Sequence, residues 1–204
     1  MIFPELDLRK FADPKGVLRQ HARKLREELA TQRPDAPRHA AAQFIRALAP
    51  HPGQTVSVYF PVNNELDTWP LVEALWADDI TVCLPVTEKR DAALVFREYG
   101  PDTELCEGRY GILVPSPTAP LCSPDIILCP LLAYKTDGTR LGMGGGYYDR
   151  TLNTRRKTGP VTAVGYAYAD QKAQLLPRDA HDAFLDWIVT ERSAFSVAHA
   201  KRIL

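Results

Sequence analysis

Past residue 50 the hydrophobic positions alternate between two periods. Thr55-Val-Ser-Val-Tyr-Phe60 alternates in β-rich residues and stops at Pro61, which predicts a strand. Residues 69–76 carry helical spacing behind Asp67-Thr68. Residues 80–84 read as a strand ending at Pro85, and 93–99 as a strand nearer an edge. Asp125-Ile-Ile-Leu-Cys129 is a short apolar run of the kind found inside a parallel sheet. A glycine-rich loop follows, then a helix starting over 147–152, a strand over 161–168 and a last strand over 185–189. Strands spaced by helices predict an α/β fold with a mainly parallel sheet. No repeat or low-complexity linker interrupts the pattern, so residues 1–204 are expected to form one domain. Ligands in such sheets collect beyond the carboxyl ends of the strands, which singles out the loops after Phe60 and Cys129.

The first 50 residues are different. Leu18, Ala22, Leu25 and Leu29 form an apolar stripe at helical spacing, with Asp13 placed to cap the helix and Pro14 at its first position. This predicts a helix over about 14–31. Lys15, Arg19, Arg23 and Arg26 fall beside the stripe within an arc of roughly 80°. Arg33-Pro34-Asp35 breaks the helix, and a second is expected over 40–48. Cations at helical spacing read either as a solvated face or as a clamp that brings Lys15 and Arg19 to an anion.

Charge sharpens this reading. The 25 Lys+Arg balance 25 Asp+Glu, which removes the basic excess expected of a general nucleic-acid binder. Yet residues 9–46 hold ten Lys/Arg against four Asp/Glu, so the neutrality is a cancellation between the N-terminal segment and the rest. A hydrophobic fraction of 45% excludes a disordered chain and gives 204 residues a sizeable core. The opening MIFPELDLRK lacks the basic-then-apolar run of a signal peptide, and no stretch approaches the roughly 18 apolar residues of a membrane span. Cys83, Cys106, Cys122 and Cys129 make no CxxC pair and are expected to be reduced thiols. A cytoplasmic protein with neither membrane nor nucleic-acid partners is the expectation.

The segment richest in chemistry is Asp137-Gly-Thr-Arg-Leu-Gly-Met-Gly-Gly-Gly-Tyr-Tyr-Asp-Arg150. Five of the chain's twelve glycines lie between Gly138 and Gly146. Such a loop lets backbone amides face a ligand, and the helix opening near Tyr147 aims its positive end at the same place. Phosphate is the natural occupant, although neither the P-loop nor the dinucleotide fingerprint matches. Asp149 beside a phosphate suits Mg²⁺, or simply complements the helix dipole. Asp182, in a late loop, is a candidate second carboxylate. Tyr59-Phe-Pro-Val-Asn-Asn-Glu-Leu-Asp-Thr68 is the second candidate segment. Glu65 there suits a hydrogen-bond-rich heterocycle, whereas Asp67 and Thr68 read as a helix cap. His21, His39, His51, His181 and His199 are scattered, with no nucleophile elbow, Cys–His pattern or zinc signature. Phosphoryl transfer, which depends on positioning and electrostatics, fits better.

The run from Pro130 through the glycines to Leu152 resembles the signature of the 5-formyltetrahydrofolate cyclo-ligases. Lys15-x-x-Leu18-Arg19-x-x-x-Arg23, the Tyr59–Thr68 segment, Cys83-Leu-Pro-Val86 and Arg109-Tyr-Gly-Ile-Leu-Val-Pro115 are similar to further family segments in the same order. The resemblance implies ATP-dependent closure of 5-formyltetrahydrofolate to 5,10-methenyltetrahydrofolate through a phosphorylated formyl group. It implies a three-layer α/β/α sandwich like those of sugar-phosphate isomerases and CoA transferases. A monomer is the expectation, although nothing in the sequence speaks to oligomeric state. It implies ATP contacts from Lys15, Arg19, Arg23, Arg140, Leu141, Gly142, Met143, Gly144, Gly145, Gly146, Tyr147 and Tyr148. Folate contacts would come from Phe60, Glu65 and the Met143–Tyr147 stretch, with Arg140 and Tyr147 catalytic. Asp149 and Asp182 would hold Mg²⁺. Lys135, Val114, Met143 and Gly145 depart from residues common in the family, and the changes at Met143 and Gly145 leave phosphate contact to backbone amides, Arg140 and the basic helix. An isomerase or transferase of the same fold, and a non-catalytic nucleotide or folate binder, are the alternatives.

Overall fold

The computed structural model describes residues 11–197. The opening segment 1–10, read above for a signal peptide, and His199 lie outside the described residues. Helix α1, Pro14–Gln32, starts as expected, with Asp13 Oδ1 accepting from the Gly16 amide at 2.9 Å. Helix α2, Ala36–Leu48, begins four residues earlier than expected, because Pro37 fits its first turn.

Strands β1 (Thr55–Ser57), β2 (Thr81–Val86), β7 (Ile126–Cys129), β10 (Thr162–Tyr166) and β11 (Trp187–Val189) are parallel and lie in the order β2-β1-β7-β10-β11. Antiparallel β3 (Val95–Glu98) and then β6 (Leu121–Cys122) extend one edge, and antiparallel β12 (Ala194–Ser196) closes the other. β3 thus stands one strand in from the edge. Two hairpins stand apart from this sheet: β4–β5 (Leu105–Glu107, Leu113–Pro115) and β8–β9 (Ala133–Tyr134, Arg140–Leu141).

The apolar run of β7 shows why the sheet needs two covered faces. Ile126 and Leu128 join one core with α2 and α3 (Trp69–Ala77), while Ile127 and Cys129 join another with Leu152 of α4 (Tyr147–Thr158). Alternate side chains point to opposite faces, so each face carries its own helical layer. Among the described residues no helix is long and apolar enough to cross a membrane.

The chain runs from β1 outward to β2, then returns to β7 on the other side of β1. That reversal opens a crevice beyond the carboxyl ends of β1 and β7. The loops after both strands, and the hairpin β8–β9 that leads into the glycine segment, all meet there.

Candidate active site

A cleft of about 910 Å³ fills this crevice. It is lined by Lys15, Arg19, Phe60, Glu65, Asp182 and every residue from Arg140 to Asp149, which leaves Arg23 as the one proposed site residue outside it. Arg23 is exposed on α1. A helix crossing the cleft offers only part of an 80° arc to a ligand, and of this arc Lys15 and Arg19 line the cleft while Arg23 faces solvent. The solvated-face reading fits Arg23 but fails for Arg26, which is 1% exposed.

The wall after β1 is built locally. Asn63 and Asn64 take φ of 50° and 63°, a conformation that Asn tolerates better than most residues. The turn closes with the Glu65 amide donating to the Val62 carbonyl at 3.1 Å, while Glu65 Oε2 accepts from the Val62 amide at 3.1 Å. Tyr59 pins the far end through its hydroxyl on the Leu66 carbonyl at 2.7 Å. Asp67 caps α3 by accepting from the Trp69 amide, whereas the Thr68 hydroxyl donates back to the Tyr59 carbonyl. Burial pushes the Glu65 carboxyl above its ordinary value, and Arg26 opposes that push.

The opposite wall is the glycine loop. Gly144 (φ 103°) and Gly146 (φ 66°) occupy the left-handed region, and Gly146 is the residue that turns the chain into α4. A side chain at Gly144 would meet the Arg19 guanidinium at 3.3 Å. Arg19 Nε donates to the Gly142 carbonyl at 3.0 Å, so the basic helix is fastened to the loop. Arg19 pairs with no carboxylate among the described residues and lines the cleft. The first turn of α4 adds backbone N–H groups without intrahelical partners.

Arg140, Asp149, Lys15 and Asp182 are engaged with one another or with the backbone. Arg140 is nearly buried, with Nη2 on Asp149 Oδ1 at 2.6 Å and Nη1 on the Ala183 carbonyl. Asp149 Oδ1 also accepts from the Ala183 amide at 3.0 Å, which brings the Asp182 loop beside it. Lys15 Nζ bridges Asp179 and Asp182, both at 2.8 Å. Among the described residues Asp149 Oδ2 and Asp182 Oδ1 have no protein partner. Asp179, His181 and Asp182 also bring ligand atoms within 4.8 Å of one another, although the Lys15 ammonium already occupies that cluster.

Sequence reasoning gave no role to Arg109 and Tyr110. The hairpin β4–β5 brings them over the cleft mouth, where the Tyr110 and Tyr147 hydroxyls lie 2.9 Å apart. Their one signal was position within the 109–115 segment. Arg150 lies over the Tyr147 ring at 5.1 Å and donates to the Gly145 carbonyl at 2.6 Å, which braces the loop from behind.

The sequence profile of the 5-formyltetrahydrofolate cyclo-ligase family matches residues 12–191. The chain is 37% identical over 181 residues to the 5-formyltetrahydrofolate cyclo-ligase of Escherichia coli K12, covering 85% of this chain and 96% of that one. The cyclo-ligase of Haemophilus influenzae is 33% identical over 171 residues, covering 81% and 91%. The NMR structure of the Aquifex aeolicus 5,10-methenyltetrahydrofolate synthetase superposes with a TM-score of 0.71 at 28% identity, covering 93% of this chain and 96% of that one. The Mycoplasma pneumoniae synthetase gives 0.67 at 25% identity, covering 87% and 98%. The mixed α/β fold, the glycine-lined cleft and these relatives agree: the chain belongs to the 5-formyltetrahydrofolate cyclo-ligase family.

Proposed function

We infer that this chain is a 5-formyltetrahydrofolate cyclo-ligase, which closes 5-formyltetrahydrofolate to 5,10-methenyltetrahydrofolate and converts ATP to ADP and phosphate. The observation that carries the reading is the pairing of two unlike walls in one cleft: Phe60 with Glu65 on one side, and the Arg19-backed glycine loop on the other. A buried carboxylate suits the amino and ring N–H donors of a pteridine, and an aromatic ring suits its face. Loop amides, Arg19 and the start of α4 suit a triphosphate.

In the proposed reaction the formyl oxygen attacks the γ-phosphorus and the bond to the ADP oxygen breaks. The folate N10 then attacks the activated carbon and loses its proton, and phosphate leaves with the former formyl oxygen. Oxide is a poor leaving group and phosphate a good one, so ATP activates the substrate and the protein needs no nucleophile of its own. What the chain supplies is alignment and charge compensation.

Arg19 and the amides of 142–146 would meet the phosphate oxygens. Arg140 would act through Asp149, which it orients, and Tyr147 would close the loop over the reacting groups. Asp149 and Asp182, each with one uncommitted carboxylate oxygen, make a hard-oxygen donor set that fits Mg²⁺. Bound there, the ion would neutralise charge on the phosphates. The strand order and helices on both faces support grouping the fold with the sugar-phosphate isomerases and CoA transferases.

The test is to incubate purified protein with 5-formyltetrahydrofolate and Mg·ATP and follow the near-ultraviolet absorbance of the methenyl product. Absorbance that grows only when ATP is present is the expected result. A folded, ATP-binding protein that makes no product would overturn the reading.

A further inference from the structure

Arg26 is the largest side chain to be fully buried among the described residues. A guanidinium stays charged, so its burial demands partners. Nη2 donates to the Asn63 carbonyl at 2.8 Å, and Nη1 lies 3.4 Å from both the Leu131 carbonyl and Glu65 Oε1. Nε has no hydrogen-bond partner among the described residues. Those three acceptors sit on the loops after β1 and after β7, the two sides of the crevice. Helix α1 therefore buries one cation behind the cleft wall that Asn63 and Glu65 line, where it joins both loops.

Among the described residues Glu65 is the only carboxylate that pairs with Arg26, and its side chain is 7% exposed. Tyr59 at the end of β1 and Tyr148 on α4 also face Glu65, and Tyr168 beyond β10 faces Arg26. Burial pushes all three phenols up, so they stay neutral. Among the described residues Arg26 is then the one charge that offsets the burial of Glu65, beside the hydrogen bond from the Val62 amide. None of its hydrogen bonds reaches the glycine loop.

We propose that Arg26 is a positioning residue: it keeps the Glu65 carboxylate ionised and aimed into the folate half of the cleft. The inference rests on the folate and ATP reading of the two walls. It predicts a split between the ligands. Loss of Arg26 weakens folate binding, while ATP binding, held by Arg19 and the glycine loop, stays close to its original strength. It also predicts a pH signature. Glu65 is needed ionised, so folate affinity falls as pH drops through its pKa. Removing the neighbouring cation raises that pKa, and the fall moves to higher pH.

The experiment measures separate dissociation constants for 5-formyltetrahydrofolate and ATP between about pH 6 and 9. The proteins are wild type, Arg26→Lys, Arg26→Met, Glu65→Gln and the double variant Arg26→Met/Glu65→Gln, with folding checked by circular dichroism. Arg26→Met is expected to weaken folate roughly tenfold or more, in line with the cost of misplacing a binding group, and to change ATP less than about twofold. Arg26→Lys keeps the charge, so its pH midpoint stays near that of wild type. The double variant, which buries no lone charge, is expected to bind folate no worse than Glu65→Gln alone. It carries the test if Arg26→Met does not fold.

Equal losses for both ligands, an unmoved pH midpoint in the folded Arg26→Met protein, or losses that add in the double variant would each overturn the proposal. A wild type that turns over while Arg26→Met binds folate normally overturns this inference alone. A wild type that binds neither ligand overturns the cyclo-ligase reading and this inference with it.

Discussion

Arg19 Nε donates to the Gly142 carbonyl at 3.0 Å, which fastens helix α1 to the glycine loop across 123 positions of sequence. The contact uses Nε, and Arg19 also lines the cleft. Arg19→Ala removes both the fastening and the cation. It is expected to weaken ATP by about 10- to 100-fold, the range for a lost charged hydrogen bond, and to change folate much less. Arg19→Lys keeps the charge without the fork and should fall between. Calorimetric titration with each ligand checks both, and equal weakening of ATP and folate would count against the clamp.

Asp149 serves two neighbours, the nearly buried Arg140 at 2.6 Å and the Ala183 amide at 3.0 Å. Asp149→Asn preserves the shape and removes the charge. A higher Mg²⁺ concentration for half-maximal activity is expected, with a stability loss of about 1–3 kcal/mol from the unpaired guanidinium. Mg²⁺ titrations and urea denaturation give the two readouts. Unchanged Mg²⁺ dependence would reduce Asp149 to a partner of Arg140.

Two glycines of one loop should respond differently. Gly144 has φ 103° and the Arg19 guanidinium at 3.3 Å from any added Cβ, whereas Gly142 has neither a positive φ nor an obstructing neighbour. Gly144→Ala is expected to cost about 1–2 kcal/mol and to displace Arg19, raising KM for ATP. Gly142→Ala should leave thermal stability within about 0.5 kcal/mol. Differential scanning calorimetry compares them directly, and equal losses would mean that backbone conformation does not govern the loop.

The parts of this fold that were legible in the sequence are those set by local chemistry. Asp13 capping α1, the period of β1, the two-faced apolar run of β7 and the glycines before α4 each follow from neighbouring residues. The main elements appeared where their periods placed them, and the glycine loop and the Glu65 turn do face each other across one cleft. Long-range pairing was not legible. Nothing near Arg26 in sequence reveals that Asn63, Leu131 and Glu65 will surround it. Arg23, three residues earlier with the same chemistry, stays in solvent. The hairpin that carries Tyr110 to Tyr147 and the pairing of Lys15 with Asp182 depend likewise on how distant segments dock.

That last pairing has a pH signature. Burial disfavours both charges. The Asp179 amide and Lys15 nevertheless hold the Asp182 carboxyl below its ordinary value, and Asp179 and Asp182 hold the Lys15 ammonium above its own. A lowered carboxyl pKa contributes stability above its unfolded value that is lost as pH falls through the folded one. A raised ammonium pKa contributes stability that is lost as pH rises through its folded value. The tether should therefore be complete between about pH 5 and 9 and fade outside that window. Lys15→Met is expected to lower stability by roughly 1 kcal/mol inside the window, with the difference from wild type shrinking below about pH 4. Chemical denaturation across pH measures the difference, and a constant gap down to pH 2 would refute the pairing.

The central claim is that ATP activates the formyl oxygen, which then departs as part of phosphate. The most direct measurement supplies 5-formyltetrahydrofolate labelled with ¹⁸O in the formyl group, together with Mg·ATP, and analyses the released phosphate by mass spectrometry. One ¹⁸O atom per phosphate, formed in step with the methenyl product, is the expected result. Unlabelled phosphate, with the ¹⁸O recovered in water, would contradict it.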